Sequence, residues 1–234
     1  MGNMLNVLRY RWRSALTFSL LVAAGLAFHL YAPAQHNHLR PLSLDDPIGF
    51  ATYDKLTDLK HEPDTCFAAL AAASVAYTQL EDVVTGEGCG FESSLTTSAV
   101  LTPLNDELKM SCPLAASLYI WEQSVARPLA EEYFGSPLAR LETYGTYSCR
   151  NIAGSRQRSE HATANAIDIA AFRLADGRLV SVLNDWGKAT PEGRYLKQVH
   201  KAACRLFSVT LGPDYNAAHA DHFHLDFGSG STCK

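Results

Sequence analysis

The chain has 234 residues, of which 47% are apolar and 19% charged, so a folded domain with a buried core is expected and disorder is not the default reading. Its net charge is −4. The first 34 residues hold three basic side chains and no acid, which leaves 17 basic and 24 acidic residues beyond them. An acidic body argues against nucleic acid as a partner, because phosphate binding wants a basic surface.

Arg9, Arg11 and Arg13 precede Ser14 to Ala32, a run of 19 residues without a formal charge. A basic flank before such a run is an export signal whose basic end stays in the cytoplasm. The run is near the length of a spanning helix, yet Ala32-Pro33-Ala34 resembles a small-residue cleavage site. Residues 1–34 therefore fit both a cleaved signal peptide and an uncleaved anchor to the inner membrane through residues 14–32. Either places the remainder outside the cytoplasm, in the periplasm or beyond.

Residues 35–62 read as a tether, since Pro41, Asp45-Asp46-Pro47 and Gly49 break any periodicity. Residues 63–234 read as one domain. Its first helix is expected from Asp64 to about Ala76, and a strand from Ser93 to Leu101. Ser111-Cys112-Pro113 opens a second helix, with Ser111 as N-cap and Leu114, Leu118, Trp121 and Val125 as its apolar stripe. Pro128 either interrupts that helix or begins another. Leu138 to Arg150 suits a strand. Ala166 to Leu174 and Arg178 to Leu183 flank Asp176-Gly177, a hairpin signal. Glu192 to Phe207 places Tyr195, Leu196, Val199, Ala203 and Leu206 on one helical face. Val209 to Leu211 and Phe223 to Phe227 complete the strands. Helices come early and strands late without βα alternation, which predicts an α+β fold with helices packed on an antiparallel sheet.

All six cysteines lie after the export segment, where disulfides persist. No CxxC pair occurs, so three bridges are expected rather than a thiolate metal site. Cys204 and Cys233 flank the last histidines, and their pairing would tie the C-terminus to the late helix.

Two windows carry the chemistry. The first is Ser159-Glu160-His161-Ala162-Thr163-Ala164-Asn165-Ala166-Ile167-Asp168. Asp168 sits between two isoleucines, where a carboxylate is costly unless it is paired or binds a metal. The second is His219-Ala220-Asp221-His222-Phe223-His224-Leu225-Asp226. On a strand, His222 and His224 share one face. Two imidazoles and a carboxylate can give three ligands of a tetrahedral site with an open fourth position. Trp186, near a loop, is the better candidate to line a groove, and Trp121 is expected in the core. His219 is a candidate partner of a ligand histidine. No GxSxG occurs to support a serine hydrolase.

Ser159-x-His161-x-x-Ala164-x-Ala166-x-Asp168 followed by His222-x-His224 resembles the LAS metallopeptidases, named for lysostaphin, D-alanyl-D-alanine carboxypeptidases and Sonic hedgehog. More closely, the chain from about Cys66 to Cys233 is similar to the bacterial extensin-like protein C-terminal family. Cys89-Gly90, Tyr147-Ser148-Cys149-Arg150, Leu211 to Asn216 and both histidine windows carry that resemblance.

The LAS resemblance implies a hedgehog/D-Ala-D-Ala peptidase-like fold, with zinc held by His161, Asp168 and His224. It makes His222 the catalytic histidine and places Arg150 towards substrate. It implies hydrolysis of peptidoglycan cross-link peptides; the hedgehog branch also allows a non-catalytic, zinc-stabilised wall-binding domain. One position departs from the pattern: the motif glycine is Ala164, which is strained if the turn needs a positive φ.

Overall fold

Helix α1 (Gly2–Tyr31) carries the apolar run in the computed structural model, which describes residues 2–86 and 88–234. Its stretch Tyr10–Tyr31 is long and apolar enough to cross a membrane, and none of it is buried against the rest of the chain. The expected tether is folded instead. It contains a 3₁₀ turn, Ala34–His36, and helix α2 (Thr52–Asp58), and it buries Leu44, Leu56 and Leu59 in the core. Proline and glycine break periodicity here, but scattered leucines still supply enough apolar surface to dock the segment.

Helix α3 (Pro63–Ala72) begins with proline in its first turn. Strands β1 (Thr78–Gln79), β2 (Val83–Gly86), β3 (Cys89–Phe91), β4 (Ser94–Ala99) and β5 (Pro103–Ser111) follow. Helix α4 (Cys112–Trp121) starts at Ser111, whose hydroxyl accepts from Leu114 N. All ten α4 residues are buried, so this is a core helix rather than one with a single apolar stripe. A π-helical segment (Glu122–Ala126) leads into α5 (Arg127–Phe134), where Pro128 occupies the first turn. Then come β6 (Leu138–Gly145), β7 (Ala166–Leu174), β8 (Leu179–Ser181), α6 (Val182–Asp185), α7 (Pro191–Ala203), β9 (Val209–Leu211), β10 (Phe223–Asp226) and β11 (Thr232–Cys233).

Nine strands form one sheet in the order β1-β4-β5-β6-β7-β10-β9-β11, with β8 also paired to β7. The sheet is mixed but mostly antiparallel; the β5–β6 and β9–β11 pairs are parallel. The fold is therefore α+β. The hairpin across Asp176-Gly177 forms as expected, with Gly177 at φ +90°. Trp121 of α4 and Tyr195 of α7 meet Phe172 of the sheet, and Trp121 Nε1 donates to Val199 O at 3.0 Å.

One irregularity sets the site. Thr143 pairs with Ile169 but Glu142 pairs with Ala171, so Ala170 is an extra residue on β7. Such a bulge shifts the alternation of side chains. Ile169 and Phe172 both enter the core, and Asp168 is left facing the opposite side.

The six cysteines pair as Cys66–Cys112, Cys89–Cys149 and Cys204–Cys233. Three disulfides and an N-terminal apolar helix point to an extracytoplasmic location.

Candidate metal centre

The loop before β7 positions His161, the first of three candidate ligands. Ser159 caps a 3₁₀ turn, Glu160–Thr163, by accepting from His161 N. Ala164 ends the turn at φ +55°, in the left-handed region. Its carbonyl accepts from Ser111 N at 2.8 Å, while Ser148 N donates to His161 O at 2.9 Å. Phe227 N closes the loop onto Asn165 O. The position does require a positive φ, and a fully buried alanine supplies it under strain.

β7 and β10 position the other two. Asp168 and His224 are direct partners in the antiparallel ladder, and His224 Nδ1 lies 2.9 Å from Asp168 Oδ1. His161 Nε2 lies 3.1 Å from Asp168 Oδ2 and 3.2 Å from His224 Nδ1. His161, Asp168 and His224 are all buried. Tetrahedral zinc with bonds of about 2.0–2.1 Å needs ligand atoms about 3.3 Å apart; the two imidazole nitrogens approach at 3.2 Å, each meets a different oxygen of Asp168, and one ligand atom from each residue lies within 4.8 Å of the others.

The far nitrogens fix the tautomers. His161 Nδ1 donates to the Thr146 carbonyl at 2.9 Å, which turns the Nε2 lone pair inwards. His224 Nε2 donates to Asp226 Oδ2 at 3.0 Å, which leaves Nδ1 to face the cluster. With His224 neutral, two lone pairs and a carboxylate face one another. Burial disfavours charge on His224, but its contacts with Asp168 and Asp226 outweigh burial and raise its pKa to about 9. Burial also opposes ionisation of Asp168, yet the bonds to His161 and His224 hold it well below the usual carboxylate range. The point is one where positive charge is strongly favoured.

His222 lies just before β10 rather than on it. Its Nδ1 is 2.8 Å from Asp221 Oδ1, and Asp221 Oδ2 accepts from Tyr144 Oη at 3.2 Å. Its Nε2 is turned to the cluster, 3.5 Å from Asp168 Oδ1. The cluster opens into a groove of about 420 Å³, whose walls include Arg150, Glu160, Tyr215, Asn216 and His219.

The profile of the extensin-like protein C-terminus family matches residues 64–234. The chain belongs to that family. A comparison with curated proteins finds no match.

In this extensin-like domain the expected ligands and His222 lie together, and Arg150 lines the same groove. His219 does not hydrogen-bond a ligand histidine as anticipated. Its Nδ1 meets Asn216 Oδ1 at 2.8 Å, and its ring packs 5.2 Å from that of His222 and 5.8 Å from that of His224. Burial and the two neighbouring histidines lower its pKa to about 4, so it is neutral at pH 7. Trp186 is not a groove residue. Its ring packs on His200 and Phe223, and its Nε1 donates to Asp214 at 2.9 Å. Its apolar body finds the core before it finds a ligand.

Three supports of the domain's site escaped the sequence reading. Asp226 had a signal, because two residues beyond His224 on a strand is the same face. Asp221 had only adjacency to His222. Thr146 contributes a backbone carbonyl, which no side-chain pattern can reveal.

Proposed function

We propose that this extensin-like domain is a zinc-dependent peptidase of the periplasm that cleaves peptide cross-links of peptidoglycan. The observation that carries the metal is the convergence of His161 Nε2, Asp168 and His224 Nδ1 with both imidazole tautomers fixed by second hydrogen bonds. A two-imidazole, one-carboxylate set with an open fourth position suits catalytic zinc. A zinc ion there would polarise a carbonyl and make water nucleophilic near neutral pH.

The chain's own groups supply the proton transfer. Asp221 accepts from His222 Nδ1, which orients the ring and leaves Nε2 as the base. His222 would take a proton from the attacking water and return it to the leaving amine as the C–N bond breaks. Tyr144 donates to Asp221 and keeps that carboxylate in place. Arg150, on the groove wall, offers two parallel donors to a substrate carboxylate or carbonyl. The Asp221–His222 pair favours an enzyme over a purely zinc-stabilised wall-binding domain, which would have no use for an oriented base. The similarity of the motif to LAS metallopeptidases and the extracytoplasmic location support the fold relationship and the choice of substrate.

The test is incubation of the zinc-loaded protein with purified cross-linked muropeptides, read by mass spectrometry. Hydrolysis adds one water and separates the cross-linked peptides. Products from the native protein, reduced about 10²–10⁴-fold in His222→Ala, are expected. Full zinc occupancy without cleavage of any muropeptide would leave the wall-binding reading instead.

A further inference from the structure

The segment between α1 and α2 holds an arrangement that the metal centre does not use. Asn37 is only 2% exposed, and its side chain turns back onto α1. Its Nδ2 donates to His29 O at 2.9 Å, and its Oδ1 accepts from Leu39 N at 3.0 Å. Arg40 donates to Leu30 O at 3.0 Å, and Ala32 N to Phe28 O at 2.9 Å. The carbonyls at the end of α1, which a helix leaves without partners, are thus capped from the chain beyond it.

The same segment is locked to the domain. Lys55 of α2 is 5% exposed, and its Nζ donates to Ala34 O at 2.6 Å. Gln35 O accepts from Ala51 N at 3.0 Å. Gly49 lies so close that a Cβ there would sit 2.1 Å from Gln35 O. Cleavage after Ala34 would strip Lys55 of this acceptor and place a new ammonium group at Gln35 beside it. A cation only 5% exposed would then keep just the longer contact to Pro41 O at 3.5 Å and the attraction of Asp46, with a new ammonium group beside it, which is unfavourable.

Large apolar side chains surround the exit of α1. Tyr31, Leu39 and Phe50 are 83%, 75% and 86% exposed. Leu39 is placed there by Asn37, and Phe50 by its ring contact with His36 at 4.9 Å and by Phe50 N donating to His36 Nδ1. The 22 residues Tyr10–Tyr31 span about 33 Å as a helix, close to a hydrocarbon core of about 30 Å. Tyr10 and Trp12 stand at one end and Tyr31 at the other, where aromatic residues meet the two membrane surfaces.

We propose that α1 is a retained membrane anchor and that residues 32–50 form a rigid collar seated on the outer face of a phospholipid bilayer. Leu39, Phe50 and Tyr31 enter the lipid interface, and Arg40 lies at headgroup level. The domain then works against the membrane face. A free tether over residues 35–62 would instead let it range about 90 Å away.

Two measurements on the full chain test this. The first is the intact mass of the C-terminally tagged protein from carbonate-washed membranes. It should include Arg9 to Tyr31; a mature chain beginning near Gln35 would overturn the anchor. The second places a nitroxide on Phe50→Cys, and separately on Leu39→Cys, in phosphatidylethanolamine–phosphatidylglycerol vesicles. Both positions are exposed, so neither substitution disturbs the core. Collisions with dissolved oxygen should exceed those with an aqueous nickel chelate at both sites. The reverse ratio would overturn the collar.

Discussion

Asp168 and His224 stand opposite each other in the β7–β10 ladder and meet side chain to side chain at 2.9 Å. The next pair along, Ile169 and Phe223, points into the core. One ladder therefore anchors these two candidate ligands on one face and packs the hydrophobic core on the other. A site built on paired strands in this way is held to the precision of the sheet.

Asp226 should act through His224. Its carboxylate accepts from His224 Nε2 and orients the ring. Asp226→Asn should weaken zinc binding about 10–100-fold while the protein stays folded, as is usual when the outer partner of a ligand histidine is lost. Competition with a chromophoric chelator measures this; unchanged affinity would remove Asp226 from the site.

Ala164 should tolerate only glycine. Glycine relieves a left-handed strain of about 1–2 kcal/mol but adds about 0.5–1 kcal/mol of unfolded-state entropy and loses a buried methyl worth about 0.8 kcal/mol. These nearly cancel, so Ala164→Gly should stay within about 1 kcal/mol of the native protein. Ala164→Val adds a β-branched side chain at φ +55° in a fully buried position. It should cost about 3 kcal/mol or more. Denaturant melts compare the two, and equal stability of the valine variant would contradict the strain.

The sequence made the hairpin at Asp176-Gly177, the Ser111 cap and α7 legible, because each has a local signal: turn chemistry, a capping hydroxyl, a 3.6-residue period. The cluster of His161, Asp168 and His224 was legible because a carboxylate amid isoleucines and an HxH pattern are chemically conspicuous. β5 was not, since Asn105-Asp106-Glu107 in its middle reads as a turn and only sheet pairing makes it a strand. The docking of residues 35–62 depends on leucines far apart in the chain. The Ala170 bulge, which leaves Asp168 facing the groove, is marked only by the three-residue step from Ile169 to Phe172 in the apolar alternation.

Stability should fall as pH rises through the range set by Glu122. This carboxyl is fully buried; burial raises its pKa from 4.5 to about 7, against the opposing hydrogen bond from Thr102. The folded state therefore binds the proton more tightly than the unfolded state. Its contribution is full below about pH 4.5 and is lost as pH approaches 7, a change of about 3 kcal/mol. Glu122→Gln should lack this loss. Melts of both proteins between pH 4.5 and 8 would show it in their difference; parallel curves would refute it.

The disulfides should close without remainder. Alkylation of the denatured, unreduced protein should find no free thiol, and peptide mapping should link Cys204 to Cys233. A fragment joining Cys233 to any other cysteine would contradict the pairing that ties the C-terminus to α7.

His161, Asp168 and His224 should hold one metal ion, with His222 standing beside it. Zinc content per chain, measured on the purified protein and on His222→Ala, His224→Ala and Asp168→Ala, tests it most directly. About one zinc is expected in the native protein and in His222→Ala, with near loss in the other two variants. Full occupancy in Asp168→Ala, or equal loss in His222→Ala and His224→Ala, would contradict it.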